Sequence, residues 1–206
     1  MSNRLYIALT ILIAVAGIGI GSIDPAAAAD RLENIPLEWK PTSPMSERGP
    51  LDLKGLEGAK LQVEPFVDNR DNPGFIGQNR DKIPTRKVTT QEDVARFVTY
   101  QTKTLLAAQG VPIVESGGTV VMKGWIKRFF ADETNRYNAE VELELQFVDA
   151  ATGKVLWSFM TAGTSSRYGI SYKAANYYEV LSDSLIGAVH ELLRNPKFKS
   201  VLTAKP

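Results

Sequence analysis

Cysteine is absent from all 206 residues. No disulfide, thiolate nucleophile, zinc–thiolate cluster or iron–sulfur site can form, and a lipid anchor on an N-terminal cysteine is excluded. Histidine is nearly absent. His190 stands alone, which removes most of the remaining catalytic and metal-ligating repertoire. An excess of either charge is missing too: 24 Lys plus Arg face 23 Asp plus Glu, a net charge of +1, so bulk electrostatics draws in neither nucleic acid nor an anionic membrane. Recognisable catalytic motifs are lacking as well. Gly74-Phe75-Ile76-Gly77 has neither the glycine spacing nor the following Lys-Ser/Thr of a phosphate loop, and Ser165 and Ser166 sit in no G-x-S-x-G elbow. These absences imply a non-enzyme without cofactor or metal.

What is present begins with an apolar run, Leu5 to Ile20, behind Met1-Ser2-Asn3-Arg4 and ahead of an Ala27-x-Ala29 pattern. This is the layout of a secretory signal peptide, so residues 1–29 are expected to be cleaved and the protein to be periplasmic. The alternative is an uncleaved inner-membrane tether, since the run approaches spanning length; membrane contact is expected only in that case. Residues 30–55 carry Pro36, Pro41, Pro44 and Pro50. Proline lacks an amide donor and restricts its predecessor, so this stretch is expected to run extended, as a spacer or along a sheet edge. Residues 56–206 read as one domain.

Within that domain the periodicity predicts a strand over Lys60 to Asp68, a long polar loop from Asn69 to Lys87, and a helix over Thr90 to Gln109. A Thr89/Glu92 capping box opens the helix and Gly110 closes it. Val120, Met122, Gly124, Ile126 and Phe130 form the core face of the next strand. Ala139, Val141, Leu143, Leu145 and Phe147 alternate with Glu140, Glu142, Glu144 and Gln146 in the one after. Pairing Phe130 with Tyr137 around an Ala131–Arg136 loop sets Ile126 opposite Val141, Lys127 opposite Glu140, Lys123 opposite Glu144 and Trp125 opposite Glu142. In the strand from Lys154 to Ala162, Val155, Trp157 and Phe159 compete with Leu156 and Met160 for the core. A final helix carries the stripe Val180, Leu181, Leu185, Val189, Leu192 and Leu193, with His190 off it at the surface. The expected fold class is α+β: a two-layer sandwich of a mostly antiparallel four- to five-stranded sheet with two amphipathic helices on one face.

A strand ending in Asp68-Asn69-Arg70 and followed by Ile76-Gly77, a helix closed by glycine, strands around Arg136-Tyr137-Asn138, and a last helix running into Asn195-Pro196-Lys197-Phe198 together resemble the YajG-like family of bacterial envelope lipoproteins. The resemblance runs from about Leu53 to Ala204. It implies an exported domain of a Gram-negative envelope with no established enzymatic activity. The tethering cysteine of that family is missing here. More distantly, the layout resembles accessory subunits of lipid-trafficking transporters.

The candidate binding residues fall in two loops and on one strand. Asp68, Arg70, Asp71, Asn72, Phe75, Ile76 and Gly77 mark the first loop, and long ordered loops are disproportionately functional. Tyr168 and Tyr172 mark the loop before the last helix, because tyrosine concentrates on recognition surfaces. Trp125 on a charged ladder is either covered by the proline-rich segment or offered to a partner. The expected partner is another envelope protein or a lipid-transport component, not nucleic acid; the alternatives are an auxiliary lipid-transport subunit and a hydrolase.

Overall fold

The computed structural model describes residues 31–204; the expected signal peptide and its cleavage point lie outside the described residues. The strands are β1 (Leu61–Val63), β2 (Val67–Asp68), β3 (Phe75–Asn79), β4 (Arg86–Thr89), β5 (Ile113–Val114), β6 (Val120–Glu133), β7 (Tyr137–Asp149) and β8 (Val155–Arg167). The helices are α1 (Val94–Ala108), α2 (Ala174–Arg194) and α3 (Pro196–Thr203). Together the strands make one mixed eight-stranded sheet, larger than the four or five expected. Long β6 is its spine. On one side it pairs antiparallel with β7, and β7 with β8. On the other side β1, β2 and β3 lie along it in succession, all parallel to it.

The extra strands come from two misread stretches. The strand expected over Lys60 to Asp68 breaks into β1 and β2 around Pro65, which has no N–H to give a ladder. The loop expected from Asn69 to Lys87 folds in its middle and at its end into the β3–β4 hairpin, whose short arms carry too few alternations to read as strands.

Both long helices cover the same face. Phe97 of α1 meets Phe129 of β6 edge-on, and Tyr177 of α2 meets Tyr137 of β7 in the same way. Val141, Leu143, Leu145 and Phe147 are fully buried beneath them, while Glu140, Glu142, Glu144 and Gln146 keep partial exposure on the other face, as the alternation predicts. Leu143→Ala is expected to cost about 3 kcal/mol and Glu142→Ala under about 0.5 kcal/mol in urea titrations. Equal losses would contradict this division of faces. Trp157 and Phe159 stack on the core side of β8, with Trp157 also against Phe147, which resolves the competition on that strand.

The register differs from the expected one. Glu133, not Phe130, lies opposite Tyr137, so Ile126 faces Leu143, Trp125 faces Glu144 and Lys123 faces Gln146. A bulge between Ile126 and Arg128 adds a residue at Lys127 and reverses the phase of β6 beyond it. Phe129 is therefore buried and Phe130 half-exposed. The ion pairs re-form in the new register, Lys127 with Glu144 at 2.8 Å and Arg128 with Glu140 at 2.7 Å.

Helix α1 starts at Asp93, whose carboxylate accepts from the Arg96 amide at 2.9 Å, rather than at the expected Thr89/Glu92 box. Those two side chains serve the N-terminal arm instead: Thr89 Oγ1 accepts from the Asn34 amide, and Glu92 Oε2 from the Leu37 amide. The arm touches the edge of β4 at Leu32 and then crosses α2. There the Lys40 amide donates to Ser182 Oγ, Thr42 donates to the Asp183 carboxylate from its amide and hydroxyl, and Arg48 Nη2 donates to the Asp183 carbonyl. The polar side of α2 is buried as a result. His190, expected at the surface, is only 3% exposed because it shares a helix face with Asp183 and Gly187, which the arm covers. Among the described residues no helix is long and apolar enough to cross a membrane.

Candidate functional site

Asp68 and Arg70 do not form an open acid–base site. The Arg70 guanidinium donates to both Asp68 oxygens, at 2.8 and 2.6 Å, and to the carbonyls of Phe75, Phe129 and Pro73. All five of its N–H donors are engaged, and the group lies 5.9 Å from the Phe129 ring centroid. This pair closes the Asn69–Gly74 turn onto β6. Asp71 and Asn72 are exposed on the turn's outer side, and the Asn72 carbonyl accepts from the Phe75 amide. Ile76 is fully buried, and Phe75 packs edge-on against Phe130. Gly77 is buried where a side chain has no room: a Cβ there would lie 2.6 Å from the Ala131 carbonyl and 3.0 Å from the Tyr177 ring. Trp125 sits half-buried on the solvent face between Val67 and Glu144, away from the arm, which runs on the helix side.

The end of the sheet where β6 turns into β7 gathers more. One row across it reads Arg86, Asn79, Glu133, Tyr137, Arg167, each paired with the next. Three connections leave from this row: residues 80–85, residues 134–136 and residues 168–173. The Glu133 carboxylate, 1% exposed, anchors the last of them to the sheet and to α2. It accepts from Ser171 Oγ at 2.7 Å, from the Tyr172 amide at 2.9 Å and from the Tyr177 hydroxyl at 2.7 Å. Burial, and then the bond to Glu133, raise the Tyr177 phenol well above its ordinary range; burial chiefly raises that of Tyr137.

The loop of residues 168–173 is also bonded to both strands of the β3–β4 hairpin. Asn79 Nδ2 donates to Ser171 Oγ at 3.1 Å, and the Tyr172 hydroxyl donates to the Lys87 carbonyl at 2.9 Å while accepting from the Leu32 amide. Tyr172 adopts a left-handed backbone (φ 54°), and these bonds on both its amide and its hydroxyl hold it there. Tyr172 is therefore an internal tie and not an exposed contact residue. Tyr168 is exposed, with the Arg136 guanidinium 4.6 Å from its ring centroid. Ile83 and Ile170 project from the same end.

Sequence reasoning missed Glu133, Asn79, Ile83 and Ile170. Glu133 falls inside the loop expected over Ala131–Arg136, and a single isoleucine among polar loop residues carries no periodic signal. Among the described residues no group of three or more His, Asp or Glu could hold a metal ion.

No protein-family model matches the chain, and comparison with curated proteins finds no match. Solved structures do match. A DUF330 protein from Xanthomonas campestris aligns with a TM-score of 0.52 and 13% identity, over 69% of this chain and 85% of that one. The PelC dodecamer from Paraburkholderia phytofirmans aligns with a TM-score of 0.42 and 18% identity, over 71% and 90%. The lipoprotein GNA1162 from Neisseria meningitidis gives 0.36 and 12%, over 55% and 88%. The likeness to the Xanthomonas protein is one of fold, and proteins described as lipoproteins are among the structural neighbours.

Proposed function

We propose that this chain is a non-enzymatic, exported envelope protein of the YajG-like kind, working in the periplasm by binding another envelope component. The binding surface is the sheet end built by residues 80–85, 134–136 and 168–173. One observation carries the reading: the two loop regions singled out by length and by tyrosine content meet there through the Asn79–Ser171 bond, with Tyr168 left exposed. The Asn69–Gly74 loop, beside the middle of β6, supports it by contrast, since the Arg70 donors there are all engaged within the protein. That closure also weighs against a hydrolase at Asp68.

A photo-crosslinking residue placed at Tyr168 in cells is expected to give a discrete adduct, with an envelope protein or with lipid, and one placed at Glu191 on exposed α2 surface to give none. Equal labelling from both positions, or none from either, would remove this assignment. The auxiliary lipid-transport reading draws on a different feature, a cleft of about 660 Å³ lined by Val120, Val121, Leu156, Val201 and Ala204. Native mass spectrometry of the purified protein decides that reading: a retained lipid, lost in Leu156→Asp, supports it, and a lipid-free protein ends it.

A further inference from the structure

We propose that the loop-bearing end of the sheet docks on the surface of an anionic phospholipid bilayer; this rests on the binding reading above and names the surface's partner. The apolar residues there are exposed loop side chains. Ile83 is 100% exposed, Ile170 74% and Tyr168 69%, each on a loop that leaves the same row of paired residues. A protein partner rewards a contiguous, shape-matched area, whereas single aliphatic side chains standing clear of the surface suit a fluid boundary that closes around each of them. Tyrosine, apolar in body and polar at its tip, fits the headgroup level of such a boundary.

The charge around these tips has one predominant sign. The three loops and the strand residues bounding them carry Arg80, Lys82, Arg136, Arg167 and Lys173, with Arg86 over the Tyr172 ring, against two carboxylates, exposed Asp81 and buried Glu133. Arg80 and Arg167 are neutralised from outside the loops, by Asp132 and Glu179. Lys82 and Lys173 are exposed beside the tips, and Arg136 lies over Tyr168. A chain whose total charge is only +1 thus concentrates cations around its most exposed apolar side chains. Each cation held near an anionic surface contributes about 1 kcal/mol, about a fivefold change in partitioning, and the effect falls within a Debye length. The Glu133 bonds fix the loop that carries Tyr168 and Ile170 against the sheet and α2.

The test is co-flotation of the chain from Asp30 onward, which keeps the whole described core and removes the apolar N-terminal run, with vesicles of phosphatidylethanolamine and phosphatidylglycerol or of phosphatidylcholine alone. Binding is expected to the anionic vesicles only, and to weaken several-fold between about 0.1 and 0.5 M salt. The combined variant Ile83→Ser, Tyr168→Ser, Ile170→Ser is expected to bind at least about tenfold more weakly, as is Lys82→Glu with Lys173→Glu. All five positions are exposed, so unchanged circular dichroism and urea midpoints are expected for both variants. No flotation of the parent chain, or flotation that both folded variants retain, overturns the proposal. If the parent does not float but the Tyr168 crosslink captures a defined envelope protein, the binding reading survives and the bilayer does not. If neither occurs, both fail.

Discussion

Gly163→Val is expected to leave no cooperatively folded protein, and Gly163→Ala to lose more than about 3 kcal/mol. Gly163 lies on β8 directly under α2. A Cβ there would stand 2.0 Å from the Ser184 carbonyl oxygen, 2.3 Å from the Ala188 amide nitrogen and 2.7 Å from the Gly187 carbonyl carbon. All three atoms are helix backbone, so no side-chain rotation relieves the clash; the helix itself must lift. Lifting it would break the Thr161 Oγ1 bond to the Ala188 carbonyl and the Ser184 Oγ bond to the Ala139 carbonyl, and would open the core over Val141. Ala162→Val, one residue away on the solvent face, is the control and should change the urea midpoint by less than about 0.5 kcal/mol. A near-neutral Gly163→Ala would show that the helix does not rest on the strand in this way.

Glu133→Ala is expected to cost about 5 kcal/mol. It leaves Ser171 Oγ, the Tyr172 amide and the Tyr177 hydroxyl without their acceptor in a dry setting, at about 1–3 kcal/mol each. Glu133→Gln keeps one acceptor oxygen and should lose less. The same cluster sets an alkaline limit. The Tyr177 pKa is raised in the folded state by burial and by its bond to Glu133, so its contribution is fully present below the unfolded value near 10. Above that pH the unfolded chain loses the phenolic proton first and stability declines. Tyr177→Phe should flatten this decline without abolishing it, because the buried Tyr137 phenol is raised as well. Urea titrations at stepped pH measure both effects; an unchanged slope in Tyr177→Phe would contradict the assignment.

The candidate site was legible only in part. Tyr168 and the loop before α2 were marked by composition, and the turn after Asp68 by its glycine, proline and asparagine. Arg70 and Asp68 looked equally available in the sequence, yet the carbonyls of Phe75 and Phe129 that complete the guanidinium's bonds belong to different strands and meet only in three dimensions. Tyr172 looked like a contact residue because nothing local reveals Glu133, 39 positions away, waiting for its amide. His190 looked exposed because helical periodicity sees the stripe facing the sheet and cannot see an arm laid across the opposite side.

The bulge at Lys127 shows the boundary most clearly. Alternation in β7 by itself determined which of its side chains are buried and which are wet, since a pleated strand has only two faces and its sequence fills them oppositely. The amphipathic stripes and the glycine after α1 likewise fixed two helices, and their shared side of the sheet followed from there being one apolar face to cover. What the tertiary structure decided was the pairing: three short parallel segments along β6, an extra residue that turns Phe129 and Glu133 inward, and the seating of the loop before α2 on that carboxylate. Each of these depends on contacts between residues far apart in the chain, whose energies no local pattern of polar and apolar residues encodes.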